Sequence, residues 1–254
     1  MSLLARILDT KRQELAAGRH RRLPTPPVLR PVNLRRAPGE PLRILAEIKP
    51  KSPSAGQLST RLSVSERATA YERGGSSMIS VLCDHEFFGG SYENLTRARD
   101  ACGLPLLCKE FVIDELQLDW ARAFGADAVL LIVRCLEGES LAQLHAAAVA
   151  RGLITLVEIA SVEEARLVTD LAIPVIGVNA RDLNTLEMNS TQAQNILHAL
   201  PEAATRLHFS GIKSADDVKA VSHTGVDAAL IGEVLMRRDD PLPLLTDLVQ
   251  AAAG

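Results

Sequence analysis

The feature that most constrains this chain is an alternation: short apolar runs and helix-spaced segments follow one another eight times along it. The apolar runs fall at residues 44–49, 78–83, 106–109, 127–132, 154–158, 175–179, 206–210 and 228–232. Most are apolar in the middle and end on a polar residue or a glycine. Strands covered on both faces, as in a parallel sheet under helices, read as continuous apolar runs of this kind. Between them Leu116, Leu118, Ala121 and Phe124 recur at helical spacing, as do Leu141, Leu144, Ala148 and Ala150. The stretches 125–127, 151–152 and 225–227 each carry a glycine just before an apolar run and read as helix stops. Repeated strand-helix-strand units require right-handed crossovers and a parallel sheet. The chain has 254 residues, near the ~250 of one eight-fold barrel. The expected fold is therefore α/β, a (β/α)8 TIM barrel, as one domain over residues 1–254. A doubly wound open sheet is the competitor, but no G-x-G-x-x-G fingerprint follows the first run.

Residues 1–40 precede the first apolar run. Residues 3–17 read as an amphipathic helix with Leu4, Ile7, Leu8 and Leu15 on one side. The prolines at 24, 26, 27 and 31 lack N–H donors and fix φ, so the following stretch reads as an extended linker. Helix and linker are expected to pack on the barrel as its N-terminal extension. The formal charge is −3, without a long block of either sign, which argues against nucleic acid or an anionic membrane as the main partner. A small anionic ligand stays admissible, because a local pocket can be positive on a mildly acidic protein. Cys83, Cys102, Cys108 and Cys135 form no C-x-x-C pair and no His cluster joins them, so zinc is not expected. Free thiols fit a reducing compartment. The apolar runs are far shorter than the ~18 residues of a membrane span, and the first residues lack a signal-peptide apolar region. Cytoplasm is the expected location.

A barrel of this kind places its active site at the C-terminal ends of the strands. Those ends carry Glu47 and Lys49, then Lys109, then Glu158, then Asn179 and Arg181. Ionised groups at the ends of apolar strands are costly unless they pair or bind something, which makes this a constellation rather than a scatter of solvated strand ends. Period two puts Glu47 and Lys49 on the same side of the first strand. After the seventh and eighth runs, Ser210, Gly211, Gly232 and Glu233 place small residues and backbone N–H groups where barrel enzymes often hold phosphate. Ser52 and Ser54 of the first loop add hydroxyl donors. The six histidines show no metal pairing; His20, His145, His198 and His223 are expected at the surface, His208 facing outward, and His85 near the mouth.

Five motifs carry a family resemblance. Residues 44–56 (ILAEIKPKSPSAG) resemble the first-strand signature of indole-3-glycerol phosphate synthases, and residues 106–114 (LLCKEFVID) the third-strand signature. Residues 81–91 are similar to the second βα loop of the same family, and residues 176–183 and 230–237 to its later segments. The resemblance implies conversion of 1-(2-carboxyphenylamino)-1-deoxyribulose 5-phosphate to indole-3-glycerol phosphate, carbon dioxide and water in tryptophan biosynthesis. It implies no metal or organic cofactor, and a small-molecule substrate as the partner. By resemblance, Lys109 matches the general acid for ring closure, Lys49 the residue that binds the substrate carboxylate, and Glu158, supported by Glu47, the acid/base of the dehydration. Asn179 and Arg181 match positions that orient substrate oxygens. Phe88, Phe111, Leu130 and Leu183 match the lining of the aromatic pocket, and Ser52, Ser210, Gly211, Gly232 and Glu233 match the phosphate site. The resemblance leaves open which of Lys49, Lys109 and Glu158 moves each proton. A monomer is expected.

One departure stands out. The family's seventh-strand motif usually reads ESGI, whereas residues 209–212 read FSGI, so a carboxylate near the lysines is missing. The expectation is that Phe209 packs against the substrate ring and that the loss of an anion lowers the pKa of Lys109. Ala180 and Val234 are smaller departures. Three rivals remain at this point: a divergent paralogue, a phosphate-ligand binding module that has lost catalysis, and an aldolase-like enzyme forming a lysine Schiff base.

Overall fold

The structure, a computed structural model, describes residues 2–20, 22–53, 56–59, 61–181 and 189–253. Among the described residues eight strands form the barrel, one for each apolar run: β1 (Arg43–Ile48), β2 (Met78–Leu82), β3 (Leu106–Lys109), β4 (Ala128–Ile132), β5 (Ile154–Ile159), β6 (Val175–Asn179), β7 (Thr205–Phe209) and β8 (Ala228–Ile231); a separate antiparallel pair of two-residue strands, Lys51–Ser52 and Gly56–Gln57, lies in the loop after β1. The barrel strands pair in parallel in chain order, and β1 closes the barrel against β8. Leu45 of β1 lies beside Met78 of β2 and Leu230 of β8, which fixes the register at the closure.

Alternation along each strand builds two cores. Leu45, Met78, Leu107, Leu130, Leu156, Leu207, Phe209 and Leu230 fill the barrel interior. Their neighbours, among them Ile44, Ala46, Val81, Val129, Val157, Ile176 and Ala229, face the surrounding helices. Burial on both faces is why the strands read as unbroken apolar runs. Gly125, Gly152 and Gly225 have φ of 103°, 75° and 76°, a left-handed conformation that lets the chain leave a helix and enter the next strand. The helices Val64–Arg73, Glu115–Ala123 and Ala215–Ser222 open with capping boxes, which end the preceding loops at defined residues.

The first forty residues engage both ends of the barrel. Helix α1 (Leu3–Gly18) buries Ile7, Lys11 and Leu15, and Leu3, Leu4 and Leu8 pack half-buried on the inner core. Fully burying each aliphatic side chain contributes roughly 1.5–3 kcal/mol. The linker then crosses the opposite end, where Leu34 is buried in the inner core. Two aspartates pin it. Asp127, just before β4, accepts the N–H of Arg30 (2.7 Å) and of Leu106 (2.9 Å). Asp227, just before β8, accepts the N–H of Arg36 (3.1 Å) and of Arg206 (2.8 Å). No helix among the described residues is long and apolar enough to cross a membrane.

Candidate active site

The C-terminal ends of the strands surround a cavity of about 280 Å³. Glu47, the penultimate residue of β1, is 1% exposed and sits between two ammonium groups, with Lys49 and Lys109 each 2.6 Å from one of its oxygens. Burial pushes the Glu47 carboxyl up, but the two lysines outweigh it and hold its pKa down to about 2. Gly232, at the end of β8, makes this possible: a Cβ there would lie 2.3 Å from Glu47 Oε1.

Across the cavity, Glu158 accepts a hydrogen bond from Asn179 Nδ2 (2.9 Å). Asn179 Oδ1 in turn accepts from Ser210 Oγ (2.9 Å) and from the Arg181 N–H (3.0 Å). The network locks the amide so that its N–H₂ faces the carboxylate. Burial raises the Glu158 pKa above the ordinary carboxylate range, against the opposing pull of Lys109 and Asn179. Ser210 has φ of 71°, a turn imposed just past β7, and Gly211 follows at 93°. This reversal brings both residues to the cavity wall.

The expected lining residues gather in one place. Ser52, Phe88, Phe111, Leu130, Arg181, Gly232 and Glu233 all line the cavity, and Ser52 is buried. The Glu233 side chain pairs with Arg237 at 2.8 Å, which leaves the backbone as its contribution to the anion end. The rings of Phe88 and Phe111 lie 6.0 Å apart, tilted by 35°. Leu183 and Ser54 lie outside the described residues.

Three expectations are corrected. Phe209 does not line the cavity: it is 1% exposed, its ring fills the barrel interior, and a Cβ at Gly177 of the adjacent strand would sit 2.5 Å from it. Gly177 vacates the space that this ring occupies. Lys109 Nζ lies over the ring at 5.7 Å from its centroid, within range of a cation–π attraction. Burial pulls the pKa of Lys109 down, but Glu47 and Glu158 prevail and hold it above the usual lysine value. His145, expected at the surface, is half-buried with Nδ1 2.7 Å from Thr155 Oγ1. His85 is exposed and takes no part in the cavity wall.

Sequence reasoning missed two contributions. Leu3, Leu4 and Ile7 of α1 form part of the wall, and Lys213 and Arg237 add cations beside the loops after β7 and β8. The apolar stripe of α1 signalled a buried face without naming what it would cover. Lys213 follows directly on the Ser210–Ile212 turn, and its place beside the expected anion site was the available signal.

Comparison with known proteins agrees with this geometry. Among solved structures, thiamine phosphate pyrophosphorylase from Pyrococcus furiosus aligns with a TM-score of 0.63 at 17% identity, covering 83% of this chain and 95% of that one. The 3-hexulose-6-phosphate synthase from Salmonella typhimurium aligns equally well at 13% identity, covering 83% and 98%. At such identities the likeness concerns the barrel alone. An indole-3-glycerol phosphate synthase from Exiguobacterium sp. is 38% identical over 98% of this chain and 96% of its own length. Indole-3-glycerol phosphate synthase 2 from Streptomyces coelicolor is 40% identical over 95% and 90%. The family model described as indole-3-glycerol phosphate synthase matches residues 4–248, and with relatives this similar over nearly its whole length, the chain belongs to the indole-3-glycerol phosphate synthase family.

Proposed function

We propose that the strand-end constellation performs the family's reaction on 1-(2-carboxyphenylamino)-1-deoxyribulose 5-phosphate, and that Lys109, Lys49, Glu158 and Glu47 carry its steps. Family membership makes the chain a carboxy-lyase of tryptophan biosynthesis. The observation that carries the assignment of residues is the Glu47 bridge, which holds two ammonium groups against one face of a cavity whose other face presents Glu158.

In this reading the aromatic ring lies against Phe88, Phe111 and Leu130, and Lys49 and Arg181 engage its carboxylate. The phosphate lies at Ser52, Ser210, Gly211 and the N–H groups of Gly232 and Glu233. The ring carbon that bears the carboxylate attacks the ketone carbon, and Lys109 gives its proton to the ketone oxygen as charge develops there. The raised pKa of Lys109 keeps it loaded for this step. Carbon dioxide then leaves from the same ring carbon and restores aromaticity. The new hydroxyl departs as water with a proton supplied by an acid, and a proton is lost from the adjacent carbon to give the indole double bond. Glu158 serves this stage: burial raises its pKa and so favours the protonated carboxyl that can act as the acid, and Asn179 keeps it aimed.

We also read residues 1–254 as one folding unit, monomeric and cytoplasmic, that does not bind nucleic acid. The support is the pinned N-terminal segment and the formal charge of −3. The test of the chemistry is incubation with the anilino-deoxyribulose phosphate while indole fluorescence is followed, beside a Lys109→Ala control. Fluorescence that grows with the parent and not with the control is expected. Product binding without turnover in the parent would replace this reading with a binding module.

A further inference from the structure

Lys11 of α1 is 1% exposed, deep for a lysine on a surface helix. Its Nζ lies 2.8 Å from Glu14, 2.8 Å from Asp84 and 3.2 Å from Glu110. Asp84 follows β2 and Glu110 follows β3, directly after Lys109, and both are buried. Two buried carboxylates brought together by neighbouring strands repel each other, and a buried charge without a partner is costly. A cation between them offsets part of both penalties.

What those carboxylates hold gives the ammonium a wider role. Asp84 Oδ1 accepts the N–H groups of Phe87 (2.7 Å) and Phe88 (2.9 Å). Glu110 Oε1 accepts the N–H of Phe111 (2.7 Å). Each turn that delivers an aromatic ring to the cavity is therefore organised by one of the two carboxylates that share Lys11. The helix that supplies the ammonium also supplies Leu3, Leu4 and Ile7 to the same wall. We propose that Lys11 is a positioning residue of the active site, which neutralises Asp84 and Glu110 together and so fixes the spacing of Phe88 and Phe111 around the aromatic part of the substrate. This rests on the reading that the substrate ring lies against those two phenylalanines.

The experiment compares two ligands: indole-3-glycerol phosphate, which carries both the ring and the phosphate, and glycerol 3-phosphate, which lacks the ring. Lys11→Met is expected to weaken the first by about tenfold, the scale of a damaged apolar pocket, and to leave the second within about twofold of the parent. KM for the substrate rises with kcat little changed, and Lys11→Arg restores most of the loss. Equal weakening of both ligands, or of neither, overturns the proposal. Should Lys11→Met fail to fold, Lys11→Met/Glu110→Gln relieves the unbalanced charge and is held to the same selective loss; unchanged affinity for the indole ligand there overturns it too. Phe88→Ala and Phe111→Ala test the underlying reading separately. If they spare indole-ligand affinity, the ring is misplaced; if they reduce it and Lys11→Met does not, only the role of Lys11 fails.

Discussion

Replacing Gly232 by alanine tests how finely the Glu47 bridge is held. Gly232 has φ of −123°, which alanine adopts without the penalty of a left-handed backbone, so the effect is one of contact alone. The added Cβ would lie 2.3 Å from Glu47 Oε1 and 3.0 Å from its carboxyl carbon. Ordinary van der Waals contact requires the carboxylate to retreat by roughly 1 Å. It has nowhere equivalent to go, since it is buried and holds ammonium groups at 2.6 Å on both oxygens. A displacement of about 1 Å at a catalytic constellation costs on the order of 100-fold in rate, about 2.7 kcal/mol of transition-state stabilisation. Steady-state indole fluorescence gives kcat/KM directly. The expected loss in Gly232→Ala is of that order and is not added to the loss in Glu47→Gln, because both act through one carboxylate. A Gly232→Ala enzyme within twofold of the parent, or a double variant whose losses multiply, would refute the argument.

Three further outcomes follow from the same geometry. Phe209→Glu places a third carboxylate near Lys109, strengthens its hold on the proton, and empties space that the ring fills beside Gly177; turnover and thermal stability are both expected to fall. A rise in turnover of tenfold or more would show the ring to be a defect. Glu110 is held up to about 7, first by burial and then by Asp84, against the pull of Lys11 and the Phe111 N–H; Glu14, Tyr92, Cys83 and Cys108 also face this cluster. Because the folded state keeps a proton that the unfolded chain releases above about 4.5, stability falls as pH rises from about 4.5 to 7, by about 3 kcal/mol at most. Urea titrations across that window should show the slope in the parent and its loss in Glu110→Gln. Glu47 has the opposite sign: its pKa of about 2 against 4.5 in the unfolded chain gives stability that is present above pH 4.5 and lost as pH falls toward 2. A shallower acid limb in Glu47→Gln is the expected readout, and an unchanged limb would remove the bridge from the account.

The barrel was legible because its strands are buried on both faces, and the apolar runs could be recognised without knowing their partners. The ends shifted by about a residue: the run at 44–49 became β1 (Arg43–Ile48), since Lys49 has left the ladder to reach Glu47. The polar site was legible for a topological reason, because a closed parallel barrel collects every strand end on one face. Facts that depend on a partner from elsewhere in the chain were not. Phe209 alternates inward, but only the missing side chain at Gly177 gives its ring a place inside the barrel rather than at the mouth. The proton affinity of Lys109 is a balance of burial against Glu47 and Glu158, and no spacing in one dimension reports such a balance. Lys11 reads in the sequence as one more exposed cation of an amphipathic helix.

The two aspartates that pin the linker stand at equivalent places in the barrel, one before the fourth strand and one before the eighth. Each joins three separated stretches of chain: its own strand, the strand before it, and the linker. At its floor the barrel therefore has a two-fold pseudo-symmetry of construction, in which each four-stranded half ends in the same knot. The linker enters both knots and belongs to neither half. It works as a hasp across the seam, and the halves are latched together by the part of the chain that lies outside the repeat.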